Sequence, residues 1–209
     1  MSDPMFTTAN FLYIASVSAL ILAMPGPTNT LLFSSGVARG FTRSLVLVAA
    51  ELVAYLLSIS CWGFLLLKLL QDQAWIATVL KLGAACYIAY LSLKIWKFEK
   101  SLTPETSITS RHVFVTTLLN PKAFLFASFV MPPAVFLDTS MYFPAMGTFA
   151  LTMIPVSIGW CMLGQIARSG SGRVPLISSG VMLRGASLVL CFFSASILYD
   201  VVHKAWLHA

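Results

Sequence analysis

Two charged side chains stand inside apolar stretches. Glu51 lies within the run 44–67, and Lys122 follows Asn120-Pro121 in the run 112–137. A carboxylate or ammonium taken out of water is costly unless it is paired. The two together suit a small zwitterion: Lys122 for its carboxylate, Glu51 for its ammonium. Asn29 and Asn120 add neutral hydrogen-bonding groups. Glu51 is the one acidic residue well inside an apolar run, and it can also carry a proton. Proton and ammonium would then exclude each other at one carboxylate, which is the chemistry of antiport. The rival reading is that Glu51 and Lys122 pair with each other and hold the protein together, as intramembrane charges often do.

The backbone that must position these groups is interrupted twice. Pro25-Gly26-Pro27 sits in the uncharged run 4–38. A proline removes a main-chain donor and clashes with the preceding turn. The prediction is a helix that stops at Met24 and another that starts near Thr28. In lipid an opened backbone must be covered by protein or line a water-filled cavity. The stretch 25–29 is therefore expected to face inward. Its free amides after Pro27 would favour a carboxylate. The carbonyls ending at Ala23 and Met24 would assist the ammonium. The second break is Asn120-Pro121-Lys122, with Pro132-Pro133 an alternative place for it. The expected substrate-binding residues are Pro25, Gly26, Pro27, Asn29, Glu51, Asn120, Pro121 and Lys122. Glu51 is also the expected proton-coupling group.

The chain is 209 residues long, 58% hydrophobic and 10% charged. Soluble domains are about 25% charged. An all-α integral membrane protein is expected, with the lipid bilayer as its surroundings. A crossing helix needs about 20 apolar residues, and six runs qualify: 6–37, 44–67, 74–96, 112–137, 141–166 and 174–202. The polar linker 97–111 divides them three and three, so residues 1–209 read as one membrane domain with halves 1–96 and 112–209. An odd number of spans per half turns the halves upside down to one another. Inverted repeats of that kind recur in secondary transporters, whose sites form where broken helices meet. Here the first and fourth spans are the broken ones. Arg39, Arg43, Lys97, Lys100, Arg111, Arg168 and Arg173 fall in loops one, three and five. The positive-inside rule puts those loops in the cytoplasm and both termini outside. The net charge of +6 is thus a matter of topology and does not indicate nucleic acid. No Lys or Arg precedes the first apolar run, so a cleaved leader is not expected.

These pieces resemble a known family. Pro25-Gly26-Pro27, then Gly36-Val37-Ala38-Arg39-Gly40-Phe41, then Gly83-Ala84 with Tyr87, Tyr90, Leu91 and Lys94, then Asn120-Pro121-Lys122, follow the order of the lysine exporter superfamily. Within it the chain resembles in particular the homoserine/threonine-type amino-acid efflux branch. The resemblance implies a six-span exporter of small amino acids or related metabolites. It also implies drive by the proton gradient and the bacterial inner membrane, in a family whose members are often homodimers. Glu51 stands where many members carry Asp or Gly.

Other classes fit less well. His112, His203 and His208 lie at span ends, and there is no HExxH or GxSxG, so no enzyme and no catalytic residue is expected. No cofactor is implied. Cys61, Cys86, Cys161 and Cys191 have no ligand spacing and read as buried small hydrophobes, so no metal site is expected. A metal-cation exporter or a channel of the same superfamily is the alternative. Lys81, Lys94 and Arg184 sit near span ends and are expected to snorkel to the interface. Tyr55, Tyr87 and Tyr90 read as packing or interface anchors.

Overall fold

Proline and glycine punctuate the first apolar run as its sequence predicts. Helix α1 covers Thr8–Ala23, and the hydroxyl of Thr7 caps it by accepting from the Asn10 amide at 3.3 Å. Met24 and Gly26 are extended, and α2 then runs over Pro27–Arg39 with Pro27 in its first turn. Proline is tolerated there because its missing donor had no partner anyway. The axis turns by 64° between the two helices. Gly40 ends α2 at φ +85, a conformation that only glycine adopts readily.

In this computed structural model residues 6–72 and 108–169 are described, with 79, 82–83, 85–86, 89–90, 93, 188, 191–192, 194–196, 198–199 and 203. Helix α3 covers Phe41–Asp72. Helix α4, Ser110–Leu118, is capped by the Thr109 hydroxyl, which accepts from the His112 amide at 3.3 Å. Asn120 and Pro121 then open α5, Pro121–Leu125, which continues as a π-helical turn over Phe126–Val130. A 44° bend separates α4 from this continuation. A 3₁₀ turn, Pro133–Phe136, leads into α6, Thr139–Ser169.

Every described element is helical. Phe41–Lys68 and Thr139–Ser169 are each long and apolar enough to cross a membrane, and the two bent pairs raise the number of candidate spans to as many as four. The second break lies at Asn120-Pro121. Pro132-Pro133 falls after the bent span has ended, where the chain is turning toward α6. Of the expected spans 74–96 and 174–202 only scattered residues are described, and most of the linker lies outside the described residues.

Contacts group the chain into two compact units. The first is Met1–Leu65 with Leu102–Leu176; the second is Leu66–Ser101 with Ile177–Ala209. In the second, the buried Ser194 hydroxyl donates to the Ala85 carbonyl at 2.8 Å. In the first, two hydrogen bonds give the relation between the bent spans. Tyr13 donates to the Phe129 carbonyl at 3.1 Å, and the Thr28 and Thr117 hydroxyls are 3.1 Å apart. As one chain rises in number the other falls, so the bent spans run antiparallel. Helices α3 and α6 are antiparallel as well: the Phe41 amide meets Gln165, and Ser60 meets Tyr142.

Packing follows from residue size. A Cβ on Gly36 would lie 2.3 Å from the Cys161 carbonyl oxygen, and one on Gly164 would lie 2.1 Å from that of Phe33. Helices α2 and α6 therefore cross backbone to backbone, the close approach that small residues allow in membranes. The centre of the unit is aromatic. Tyr55, Phe126 and Phe149 are fully buried, with ring centroids 4.9–5.9 Å apart in edge-to-face arrangements. Each such pair contributes roughly 0.5–1.5 kcal/mol beyond area burial.

Candidate functional site

The two breaks meet, because the first turns of α2 and α5 approach each other. Gly26 precedes α2 and has no side chain to cap it, so the first amides of that helix are left open. Asn120 precedes α5, and its side-chain oxygen accepts from the Lys122 amide at 3.1 Å. The Asn120 amide nitrogen reaches across to Thr28 Oγ1 at 3.1 Å and to the Tyr55 hydroxyl at 3.3 Å. Thr28 also meets Thr117. These buried hydroxyls and the amide thus hold the α2 start against the α4–α5 break.

Lys122 lies across the junction. It is 3% exposed, and its ammonium donates to the Met24 carbonyl at 2.6 Å. A Cβ on Gly26 would stand 3.2 Å from Lys122 Nζ and 3.3 Å from Cε, so the lysine stem lies against a bare stretch of main chain. Asn29 closes the other side. Its side-chain nitrogen donates to the Leu22 and Met24 carbonyls, both at 2.7 Å. The carbonyls orphaned by the end of α1 are therefore held inside the protein. The Met24 oxygen takes two donors, which fills its two lone pairs. The expectation that it would serve a substrate ammonium is corrected on that ground.

Glu51 projects from the buried face of α3 that also carries Ser44, Leu47, Tyr55 and Ser58. It is 0% exposed. Ser157 of α6 is its polar neighbour, and Lys122 stands within electrostatic reach. Yet among the described residues neither carboxylate oxygen meets a partner at full hydrogen-bonding geometry, Ser157 being the looser polar neighbour, so Glu51 and Lys122 are not a closed ion pair. The rival reading of a static pair does not describe this arrangement.

Of the sequence-predicted residues, Gly26, Asn29, Asn120 and Lys122 are brought together, with Pro25, Pro27 and Pro121 at the two bends. Pro27 is exposed and Pro25 and Pro121 are half-buried, so these prolines shape the backbone more than they line an interior. Glu51 is one turn before Tyr55, which joins Asn120. Thr28, Tyr55 and Thr117 belong to the cluster and were not among the expected site residues. Their signal was available in spacing: Thr28 lies inside the first break, Tyr55 is four residues after Glu51, and Thr117 is three before Asn120.

The arrangement can hold separated opposite charges. The open amides of α2 and the Lys122 ammonium supply positive potential at one point. Glu51 supplies a buried carboxylate nearby. No group of three or more His, Cys, Asp or Glu able to hold a metal occurs among the described residues.

The LysE type translocator family pattern matches residues 19–201. A protein of Klebsiella pneumoniae subsp. pneumoniae named leucine efflux protein is 24% identical over 178 residues, covering 79% of this chain and 81% of that protein. No solved structure matches.

Proposed function

The chain belongs to the LysE type translocator family, and we propose that it exports small zwitterionic solutes, amino acids or related metabolites, by proton antiport. A translocator is a transporter and not an enzyme. The observation that carries the finer reading is the juxtaposition of Lys122, held at the two helix starts, with a buried Glu51 whose carboxylate meets no hydrogen-bond partner among the described residues.

The substrate carboxylate would take Lys122 and the open amides of α2. Its ammonium would take Glu51. When the substrate leaves, a proton takes the same carboxylate, so the two ligands exclude each other. The name of the Klebsiella relative supports an amino acid as the cargo. The antiparallel bent spans support a three-plus-three inverted repeat in one six-span membrane domain. Basic Arg39, Arg43 and Arg168 at the joined ends of α2, α3 and α6 support a cytoplasmic placement of that face, with both termini outside. The bacterial inner membrane and a homodimer complete the proposal.

Uptake into energised inverted vesicles tests it, with leucine and a panel of other amino acids as probes. The wild-type chain should accumulate one or more of them, and an uncoupler should abolish the uptake. Glu51→Gln should lose proton-driven accumulation. Full coupled transport by that variant would overturn the role of Glu51. Failure to transport any of the panel would overturn the amino-acid reading.

A further inference from the structure

Ser18, Arg39 and Glu51 hold the buried side-chain atoms that meet no hydrogen-bond partner among the described residues. Arg39 and Glu51 carry opposite charge. Arg39 donates through Nε to Ser35 Oγ at 2.7 Å, while its Nη2 is enclosed with no acceptor. Ser35 Oγ lies 2.7 Å from Ser44 Oγ. Ser44 precedes Glu51 by seven residues on the same buried face of α3, about 10 Å along the axis. Cys161 of α6 is fully buried and within electrostatic reach of both Arg39 and Glu51. A guanidinium donor and a carboxylate thus both act electrostatically on one buried side chain, and neither meets the other.

Leaving the enclosed Arg39 Nη2 and the Glu51 carboxylate without partners is costly. A protein that alternates between states can bear that cost in one state when the pair forms in another. The charged and titratable groups around Glu51 are Lys122 of α5, Cys161 of α6, Tyr55 of α3 itself and, past Cys161, Arg39 of α2. Lys122 is held by the Met24 carbonyl at the break. Arg39 has a donor to spare.

We propose that Arg39 is the counter-charge that receives Glu51 after its carboxyl has given up a proton. The O–H bond of Glu51 breaks, and its electron pair stays on the carboxylate. The proton passes to water at the face where Arg39 lies, and Arg39 Nη2 donates to the carboxylate. Arg39 touches no substrate in this scheme; it is a positioning residue. The inference rests on the reading of Glu51 as the proton carrier.

Two readouts on the purified full chain test it. One is leucine uptake by proteoliposomes under a pH gradient, measured across pH. The other needs no substrate: infrared titration of the Glu51 carboxyl band, assigned by its loss in Glu51→Gln. Arg39→Gln should move the midpoint of both upward by about one pH unit, a tenfold change in proton concentration. Arg39→Lys keeps the charge and should stay near the wild-type midpoint. Ser35→Ala frees the guanidinium and should move the midpoint the other way, and this variant carries the test should Arg39→Gln not fold. An unmoved midpoint in Arg39→Gln, or equal displacement in Arg39→Lys, overturns the proposal. So does a titrating band that Glu51→Gln leaves in place. An infrared shift without leucine uptake supports Arg39 and counts against leucine as the cargo.

Discussion

Lys122 and Met24, 98 positions apart in the chain, are joined by a 2.6 Å hydrogen bond from an ammonium to a main-chain carbonyl at the first break. One interrupted span therefore supplies the charge and the other supplies the acceptor that orients it. The lysine is fixed at the junction through one of its three donors.

Lys122→Met should lower transport about 100-fold, the scale of removing one partner from a buried charge contact. Thermal unfolding in detergent should change little, because the Met24 carbonyl keeps its Asn29 donor and the cost of burying an ammonium is relieved. Transport at the wild-type rate would remove Lys122 from the site.

Asn29→Ala should destabilise the first unit by about 1–3 kcal/mol, since the Leu22 and Met24 carbonyls each lose a donor. Asn29→Asp should be worse than alanine: it has the same shape but brings lone pairs toward carbonyl oxygens. Unfolding midpoints of the two variants in one detergent provide the check. Equal stability of Asp and Asn would show that the bonds are not made.

Gly36→Ala and Gly164→Ala should each cost at least 1–3 kcal/mol, about the range for overpacking, because backbone and not a movable side chain blocks the new methyl. Gly147→Ala and Gly159→Ala are the controls. A Cβ at either meets nothing within 4 Å, so those changes should be neutral or gain about 0.5–1 kcal/mol in a helix. Membrane yield and unfolding of the four variants separate close packing from a general intolerance of alanine in helices.

Asp138 stands just before α6, where its carboxylate accepts from the Ser140 amide at 2.8 Å and the Ser140 hydroxyl at 2.7 Å. These bonds hold its carboxyl below the ordinary 3.8. A depressed carboxyl stabilises the folded state fully above its ordinary value and loses that contribution as pH falls through the folded one. The stability gap between wild type and Asp138→Ala should therefore be constant near neutral pH and close below pH 3.8. A gap that widens with acid would contradict the cap.

The breaks were legible because proline and glycine act locally. Pro25-Gly26-Pro27 leaves the chain few alternatives, and α1 and α2 end and begin within about a turn of the expected positions. The burial of Glu51 and Lys122 was legible for a similar reason, since a charge within an apolar run must turn inward. The use of the Met24 carbonyl was not. Whether an orphaned carbonyl faces a ligand or a neighbouring side chain depends on what lies across the junction, and Lys122 is too distant in sequence to reveal it. The choice between Asn120-Pro121 and Pro132-Pro133 was open for a related reason: both interrupt a helix, and only the three-dimensional path shows which interruption falls inside a span. Tyr55 reads singly as a packing residue, and Thr28 and Thr117 carry only a spacing signal; the hydrogen bonds that join the three through Asn120 appear only when the two spans are brought together.

The open state of the Glu51 carboxylate bears on energetics at the scale of the whole cell. On the outward leg of the proposed cycle, Lys122, ionised Glu51 and a zwitterion sum to zero. On the return leg, Lys122 beside a protonated Glu51 leaves one uncompensated positive charge. The return is then electrogenic, and an interior-negative voltage pulls it inward with about 2.3 kcal/mol per 100 mV. Because the proton that enters carries a charge and the zwitterion that leaves carries none, export by this cycle would draw on membrane voltage as well as on the pH difference.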